Sequence, residues 1–411
     1  MTEKLKIINI PRRFVKEEWG GTETVILETC RRLKRLGNDV RIFTTNALSD
    51  RACEKIDDIE IRRFAYFYPY LGLTEEIIEK LDKKGGNLFS LPLFMALLKE
   101  KNVNLIHLHT GKRLGGLAAR AAWLKKIPYV ISLHGGLLDV PVAEAATWTE
   151  PTRDCFEWGR ILGALVGSRD VIKNASAVIC VNQDEVRKVK DAGLNQRVVY
   201  LPNGVDTGKF SIKPPLGFRK RLGISDNSFV ALTCGRIDPQ KNQLFLLQNL
   251  PEMLKICPEL HLVFIGPTTN PDYEKKIREF LASEPFKSRV HLAGSRPPGH
   301  PDLNAAYHES DLFILPSLHE PFGIVILEAW ASSMPVLASK TGGIPSFVEH
   351  RRDGLLFEPG STASLMENFR AICSEKKLRR ELAENGRIKS EKEFDWQIIA
   401  EKLENLYREI L

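Results

Sequence analysis

The chain has 411 residues, of which 43% are hydrophobic and 27% are charged, and its formal net charge is +7. This composition excludes a disordered, collagen-like or low-complexity chain, and the length predicts two or three domains. No apolar run reaches the roughly 18 residues of a membrane-spanning helix. The first residues also lack the cleavage site of a signal peptide, so we expect a cytoplasmic protein.

Strands and helices alternate from the start of the chain. The apolar segment 6–10 predicts a strand, and the spacing of apolar residues over 22–36 predicts a helix that ends before Gly37. The later elements of this half are a helix near 114–125 and strands at 39–45, 104–109, 128–134 and 177–182. This βαβ rhythm predicts a parallel sheet covered by helices on both faces.

The same rhythm restarts after a turn-rich segment at 201–215. The predicted elements here are strands at 229–235, 261–266, 289–294, 311–316 and 335–339, helices near 242–256 and 323–331, and a final amphipathic helix at 396–411. We therefore predict an α/β fold with two doubly wound Rossmann-like domains, 1–205 and 206–395, that face each other across a cleft. Ligands of such sheets bind beyond the carboxyl ends of the strands, so motifs that follow strands are the candidate sites.

Positive charge is concentrated in the first half of the chain. Residues 1–205 carry 32 Lys and Arg against 25 Asp and Glu, whereas residues 206–411 carry 27 of each. The stretch 101–138 has six basic residues and no acidic one. This distribution favours an anionic partner, such as acidic lipid or a phosphorylated acceptor, over nucleic acid, for which no motif is present. The alternative is an ordinary surface of mixed charge.

The cysteines and the missing metal motifs exclude several classes of site. The seven cysteines are scattered and contain no Cys-x-x-Cys pair, which favours reduced thiols over a disulfide framework or a zinc site. No Walker phosphate loop, H-E-x-x-H or D-x-D occurs. We therefore expect no metal and no bound cofactor.

The strongest motif is HEPFGIVILEAWA, which follows a predicted strand. If its helix starts at Gly323, the backbone amides of Phe322, Gly323 and Ile324 lie at the helix N-terminus, where they suit a phosphate. An anion there repels carboxylates, so Glu320 and Glu328 are better suited to sugar hydroxyls. The alternative is an ordinary helix start with an acidic residue ahead of the first turn.

The motif GRIDPQKN also follows a strand and carries two cations. Gly235 permits a tight turn, and Arg236 and Lys241 suit a diphosphate whose charge grows as a nucleoside diphosphate departs. The alternative is a basic surface loop.

Histidine and glycine motifs follow the strands of the first half. His134 ends a strand in SLHGG, where it either hydrogen-bonds a sugar hydroxyl, acts on a proton, or has only a structural role. His107 and His109 are interpreted as residues with a packing or supporting role. Gly20 and Gly21 lack the G-x-G-x-x-G spacing of a dinucleotide site, yet two glycines suit close approach of a phosphate or sugar.

The TGG loop at 341–343 follows a strand of the second half. We expect it either to close over the ligand held by HEPFGIVILEAWA or to form a plain glycine turn.

Together these motifs resemble glycosyltransferase family 4, whose members are retaining enzymes of the GT-B fold. The resemblance runs in chain order over nearly the whole sequence, through GG, HG, NGVD, G-R-x4-K-N, E-P-F-G-x4-E and TGG. It implies a nucleotide-sugar donor in the C-terminal domain, an acceptor in the N-terminal domain, no metal, and a final helix that crosses back to the N-terminal domain.

The resemblance also implies a role for each motif. It assigns the diphosphate to Arg236 and Lys241, the ribose to Glu328, and the donor sugar and phosphate to Glu320 with the backbone of Phe322, Gly323 and Ile324. It places His134 near the anomeric carbon, Gly20 and Gly21 against the diphosphate from the other domain, and the base near Gly294–Arg296. Two segments, 139–169 and 295–307, are longer than the family pattern, and the first is expected to shape the acceptor pocket.

The resulting hypothesis is a metal-independent, retaining transfer of a hexosyl unit from a UDP- or GDP-sugar to an acceptor hydroxyl. The acceptor is a carbohydrate, a glycolipid or another hydroxyl compound, in glycan, glycolipid or cell-envelope polysaccharide synthesis, with peripheral contact to an anionic membrane. The alternatives are a nucleotide-sugar epimerase or sugar phosphorylase on the same fold, and a non-catalytic subunit that binds sugar nucleotides.

Overall fold

The computed structural model describes residues 3–135, 150–215, 217–296 and 300–411. The chain divides into two compact units, unit 1 with Met1–Pro202 and Ile399–Leu411, and unit 2 with Asn203–Ile398. Part of the 139–169 segment, which is expected to shape the acceptor pocket, lies outside the described residues, and Trp148 belongs to that part. Gly136 of SLHGG also lies outside the described residues. Among the described helices, none has the length and apolar character needed to cross a membrane.

Unit 1 is built on a sheet that is parallel except at one edge. Its strands are β1 Lys6–Ile10, β2 Asp39–Thr45, β3 Cys53–Ile56, β4 Ile59–Phe64, β6 Leu105–Leu108, β7 Tyr129–Leu133, β9 Ala177–Cys180 and β10 Val198–Tyr200. In the described residues their order is β10-β9-β7-β6-β1-β2-β4-β3, with β3 antiparallel to β4. Two short strands, β5 Tyr70–Leu71 and β8 Phe156–Glu157, pair separately.

Helices cover the sheet of unit 1. They are α1 Gly21–Arg35, α2 Glu75–Lys83, α3 Leu91–Lys99, α4 Lys112–Lys125, α5 Arg160–Leu165 and α6 Gln183–Asp191, with the later part of the last helix, α15 Trp396–Ile410. All four residues of β6 and of β9 are buried, as expected for central strands of a parallel sheet. The elements of unit 1 that the sequence did not predict are β3, β4, β5, β8, β10, α2, α3, α5 and α6. Of these, β3, β5, β8 and α5 are short and lack a clear apolar period.

Unit 2 contains a second parallel sheet, with strand order β13-β12-β11-β14-β15-β16 in the described residues. Its strands are β11 Phe229–Cys234, β12 Leu260–Ile265, β13 Val290–Leu292, β14 Leu312–Leu315, β15 Val336–Ser339 and β16 Leu355–Phe357. Its helices are α7 Thr207–Ser211, α8 Phe218–Arg221, α9 Gln243–Ile256, α10 Pro271–Ala282, α11 Pro301–His308, α12 Ile324–Ala331, α13 Thr362–Ser374 and α14 Lys376–Glu393. The predicted α/β class with two parallel-sheet, Rossmann-like domains is confirmed.

An aromatic cluster holds α12 against α14. Trp330 is fully buried, and its indole packs edge-on against Phe347 with the ring centroids 5.6 Å apart. The indole Nε1 donates to the Asp353 carbonyl at 2.9 Å. Gly386 of α14 leaves room for the ring, because a Cβ at this position would lie 2.3 Å from Trp330 Cδ1.

We expect Gly386→Ala to destabilise the protein by about 1–3 kcal/mol, because the added methyl group overpacks the indole of Trp330. Gly208→Ala is the matched control, since this glycine is also helical and its Cβ would meet its nearest atom at 3.6 Å. Urea unfolding of both variants tests the prediction. Equal stability of the two variants would show that the packing at Gly386 is looser than the structure indicates.

Candidate functional site

The loops that follow three adjacent strands of unit 2 are joined by hydrogen bonds. The strands are β11, β14 and β15, which are neighbours in the sheet. The Leu318 amide donates to the Gln240 carbonyl at 2.8 Å, and the Gln240 side chain donates to the His319 carbonyl at 2.9 Å. Thr341 Oγ1 donates to the Leu318 carbonyl at 2.9 Å. Three motifs that are far apart in sequence therefore form one surface at the carboxyl ends of the strands, where sheets of this type bind ligands.

A buried ion pair lies where two of these loops meet. Lys241 Nζ is 2.5 Å from Glu320 Oε2, and the two side chains are only 13% and 9% exposed. Ser317 Oγ donates to the same carboxylate oxygen at 3.4 Å. The sequence assigned Lys241 and Glu320 to separate motifs, and the structure brings them into contact.

Arg236 belongs to the same loop but makes different contacts. Its side chain is 40% exposed, and its guanidinium lies 2.8 Å from Gln240 Oε1 and 3.2 Å from Asp238 Oδ2. Asp238 is held in turn by the Lys241 amide at 3.2 Å and by Thr269 Oγ1 at 3.1 Å. The guanidinium is therefore positioned by its own loop and remains accessible to a ligand.

The TGG loop holds the backbone of Glu320. The Gly343 amide donates to the Glu320 carbonyl at 2.9 Å. Gly342 has a φ of +53°, and a Cβ there would lie 2.1 Å from the Glu320 carbonyl oxygen. Only glycine combines this left-handed conformation with so close an approach, so this loop positions the carboxylate that pairs with Lys241.

Helix α12 begins immediately after this glutamate. It starts at Ile324, one residue later than predicted, and Gly323 is its N-cap residue with a φ of +101°. The amides of the first turn have no acceptor within the helix. The Phe322 ring is buried and stacks on Phe347 with the centroids 4.6 Å apart, which fixes the approach to the helix.

Glu328 lies further along α12 and makes its contact with α11. The Tyr307 hydroxyl donates to Glu328 Oε2 at 2.7 Å. Burial raises the pKa of Glu328, and the Tyr307 hydrogen bond opposes that shift. Of the two glutamates in the motif, Glu320 therefore pairs with Lys241 and Glu328 with Tyr307.

Three consecutive strands of unit 2 are each followed by a glycine. Gly235, Gly266 and Gly294 come directly or soon after β11, β12 and β13, and all have positive φ. The Gly266 amide donates to the Gly294 carbonyl at 3.1 Å, and a Cβ on Gly266 would lie 1.9 Å from the Gly235 carbonyl oxygen. Gly235 and Gly294 were predicted from the sequence and Gly266 was not, although the same pattern of a strand followed by a glycine marks it.

Arg296 follows this row of glycines. Its Nη1 donates to the carbonyls of Ala293 at 2.9 Å and Ser295 at 3.0 Å, and its Nε lies 3.3 Å from Asp302 Oδ2. The guanidinium is thus bonded to its own loop. Residues 297–299, within the long segment noted in the sequence, lie outside the described residues.

In unit 1, His134 ends a chain of hydrogen bonds that begins at Asn9. His109 Nε2 lies 3.0 Å from Asn9 Oδ1, and His109 Nδ1 lies 3.0 Å from His134 Nε2. In the amide orientation of the structure, with Asn9 Oδ1 accepting, His109 carries its proton on Nε2 and accepts on Nδ1. His134 must then donate from Nε2, which leaves Nδ1 as an acceptor.

A second pair of hydrogen bonds anchors His107. Its Nδ1 lies 2.6 Å from the Tyr407 hydroxyl of α15, and its Nε2 lies 2.7 Å from Ser132 Oγ. Burial lowers the pKa of His107 to about 3 and that of His134 to about 4, so both rings are neutral at pH 7. Among the described residues, no group of three or more His, Cys, Asp or Glu is arranged to hold a metal.

We expect the free energy of unfolding to fall as the pH drops below about 6.5, the ordinary pKa of histidine. In the unfolded chain the histidines take up protons that the buried neutral rings do not. Each such histidine therefore lowers the free energy of unfolding by up to about 1.4 kcal/mol per pH unit. Urea unfolding of the wild type and His107→Gln between pH 7.5 and pH 5 checks this, because glutamine does not titrate. The free energy of unfolding of the variant should fall less steeply with decreasing pH than that of the wild type. An unchanged slope would contradict the assignment of His107 as a buried neutral ring.

The two glycines predicted to approach a ligand lie at the start of α1. Gly20 is the N-cap residue and Gly21 the first residue of the helix. The Gly20 amide donates to Glu23 Oε2 at 3.1 Å, and burial raises the pKa of Glu23. Gly20, Gly21 and His134 belong to unit 1, whereas the other predicted site residues belong to unit 2.

A polar cleft of about 570 Å³ lies on unit 1 beside the ends of β2 and β4. Its walls include Arg63, Tyr66 and Asp82, and the two latter side chains are hydrogen-bonded to each other. Arg63 Nε is buried there and makes no hydrogen bond. A hydroxyl-rich molecule finds both donors and acceptors on such walls.

Sequence reasoning missed four residues that position the predicted site. Asn9 and Asp238 carry a detectable signal, because Asn9 is a polar residue between Ile8 and Ile10 in the strand KIINI and Asp238 is an acid between two cations in GRIDPQKN. Tyr307 and Ser317 carry none, because their contacts join segments that only the folded chain brings together.

Comparisons with known proteins agree with this architecture. The family model described as "Glycosyltransferase Family 4" matches residues 19–209, and the model described as "Glycosyl transferases group 1" matches residues 217–389. A D-inositol 3-phosphate glycosyltransferase of Geodermatophilus obscurus is 26% identical over 94% of this chain and 84% of its own length. The UDP-Gal:alpha-D-GlcNAc-diphosphoundecaprenol alpha-1,3-galactosyltransferase of Escherichia coli is 27% identical over 89% of both chains.

Solved structures show the same fold. The Anabaena protein Alr3699/HepE, determined in complex with UDP, has a TM-score of 0.73 at 20% identity and covers 98% of this chain and 100% of its own. WaaG, a glycosyltransferase involved in lipopolysaccharide biosynthesis, has a TM-score of 0.66 at 18% identity, over 98% of this chain and 99% of its own. The two family models together span both units, and this chain belongs to the family 4 glycosyltransferases of the GT-B fold.

Proposed function

We propose that this glycosyltransferase moves a hexosyl unit from a UDP- or GDP-sugar to an acceptor hydroxyl, with retention of anomeric configuration and without a metal ion or other cofactor. The donor binds to unit 2 and the acceptor to unit 1. The observation that carries the proposal is the buried Lys241–Glu320 pair at the joined loops after β11, β14 and β15.

The geometry of this pair suits a nucleotide sugar. A diphosphate needs cations, which Lys241 and the accessible guanidinium of Arg236 supply, and it needs amide donors such as those of the first turn of α12. Glu320 is suited to the opposite task, because a carboxylate accepts hydrogen bonds from the sugar hydroxyls. When the bond between the anomeric carbon and the diphosphate breaks, the growing negative charge develops beside cations already in position.

The histidine chain of unit 1 suggests a role for His134. The hydrogen bonds from Asn9 through His109 orient the His134 ring with Nε2–H toward His109. The His134 Nδ1 atom therefore offers a lone pair to a hydroxyl of the bound sugar or acceptor. The neutral ring follows from burial, which lowers the pKa to about 4. In this proposal His109 and Asn9 are positioning residues, since they act through His134.

The names of two relatives indicate which donor and acceptor classes to test first. The Escherichia coli relative is named for UDP-galactose and a diphosphate-linked lipid acceptor, and the Geodermatophilus relative for inositol 3-phosphate. Both named acceptors are anionic, in agreement with the excess of cations in residues 1–205 of this chain. We therefore propose a UDP-sugar as the first donor to test and a phosphorylated or lipid-linked hydroxyl compound as the acceptor class.

Thermal-shift measurements with UDP-, GDP- and ADP-sugars, in the presence of EDTA, test the donor assignment. A sugar nucleotide at about one hundred times its Kd should stabilise the protein by about 2.7 kcal/mol, and Lys241→Ala should abolish the shift. NMR of the product then gives the anomeric configuration. No shift from any nucleotide, an inverted product, or conversion of the donor without acceptor would overturn the proposal.

A further inference from the structure

Large apolar side chains are exposed on one part of unit 1. Three neighbouring helices, α3, α4 and α5, expose two such residues each, namely Leu91, Met95, Trp123, Leu124, Ile161 and Leu165, which are between 43% and 72% exposed. In the described part of unit 2, only Ile212 and Leu318 are comparable. Six exposed large apolar side chains on neighbouring helices mark a candidate interaction site.

The three helices form one face, with α4 in the middle in contact with both others. At the end of α4, Lys125 Nζ donates to the carbonyls of Leu98 at 3.1 Å and Glu100 at 2.6 Å, which ties α4 to the end of α3. At its start, Arg113 Nε donates to the Gly159 carbonyl at 3.1 Å, directly before α5. We call this surface the α3–α4–α5 face.

The charge of this face has one sign. The sequences of α3, α4 and α5 contain Lys or Arg at six positions, of which Arg113 is buried, and no Asp or Glu. Arg120 and Arg160 are exposed among the apolar residues, and the Arg120 guanidinium lies 4.3 Å from the centroid of the Trp123 ring. Glu157, at the edge of the face, is paired with Arg113 and Arg160.

We propose that the α3–α4–α5 face docks on an anionic lipid bilayer. Aromatic and aliphatic side chains insert at the boundary between headgroups and acyl chains, and the interspersed cations bind the headgroups, as in interfacial membrane proteins. A second copy of the chain fits this face less well, because a two-fold interface would place cations of the same sign together. The inference goes beyond sugar transfer, and it would explain how a membrane-held acceptor of the proposed class reaches unit 1.

Vesicle flotation of the full chain, without donor or acceptor, tests the proposal. Vesicles of phosphatidylcholine mixed with phosphatidylglycerol should bind the protein at low salt, and vesicles of phosphatidylcholine alone should not. The double variant Ile161→Glu, Leu165→Glu should lower binding at least about tenfold, since it removes apolar insertion and adds repulsion. Ile212→Glu is the matched control, because Ile212 is 66% exposed on unit 2.

A charge-reversal variant measures the electrostatic contribution to vesicle binding. Arg120→Glu should lower binding several-fold, whereas Lys377→Glu, at a lysine whose side chain is 90% exposed on α14, should not. The donor-induced thermal shift of each variant shows that it is folded, and it reports on the proposed function independently of vesicle binding. Absence of binding by the wild type, equal binding to both vesicle types, or a dimer in light scattering that the Ile161→Glu, Leu165→Glu variant abolishes would each overturn the proposal.

Discussion

Replacing Lys241 with alanine is expected to lower the rate of sugar transfer by about 10²–10³-fold, the effect of removing one positioned group that stabilises developing negative charge. The variant also leaves Glu320 as a buried carboxylate without its cation, which destabilises a protein by about 3–5 kcal/mol. Initial rates at one fixed donor concentration and urea unfolding measure the two effects separately. Transfer within twofold of wild type would remove Lys241 from the proposed mechanism.

The double variant Lys241→Ala, Glu320→Gln separates catalysis from folding. It removes both charges, so it should regain most of the lost stability while transfer stays as low as in Lys241→Ala. The free energies of the two single changes should not add, because the residues are in contact.

The surface of the same unit offers a matched control for this ion pair. Lys255 and Glu252 are also 2.5 Å apart, but their side chains are 70% and 53% exposed. Exposed pairs contribute only about 0–1 kcal/mol, and this one lies on α9 away from the three loops. Lys255→Ala should therefore leave transfer unchanged and alter stability little.

Replacing Gly342 with alanine is expected to have the second largest effect, on both stability and transfer. A Cβ there would lie 2.1 Å from the Glu320 carbonyl oxygen, and the residue has a φ of +53°. Backbone displacement and the left-handed conformation together should cost about 2–5 kcal/mol. Because the displaced backbone carries Glu320, we also expect the donor-induced thermal shift to be lost.

Gly360→Ala separates the effect of the close contact at Gly342 from the effect of its left-handed conformation. Gly360 has a φ of +72°, and a Cβ on it would meet nothing within 4 Å. This variant should lose only the roughly 1–2 kcal/mol of the left-handed conformation and should bind donor normally. If both variants lose the same stability and both bind donor, the TGG loop does not position Glu320.

Much of the fold follows from local pattern. The segments 6–10, 229–235 and 311–316 are short apolar runs bounded by turn residues, and each contains a central parallel strand in the structure. Helix α1, predicted over 22–36, spans Gly21–Arg35. By contrast, β5 and β8 have two residues each, and their pairing depends on a partner more than 80 residues away, which local pattern does not reveal.

The sequence by itself determined the α/β class, the two-domain organisation and the loops that carry the candidate chemistry, because apolar periodicity and glycine-bearing turns are local properties of the chain. Only the tertiary structure decided which side chains meet. Lys241 pairs with Glu320, Glu328 bonds to Tyr307, and His134 is oriented through His109 and Asn9. These contacts depend on strand order and on distances of a few ångströms between residues 21 to 100 positions apart. Burial at those points, rather than residue type, shifts the pKa values.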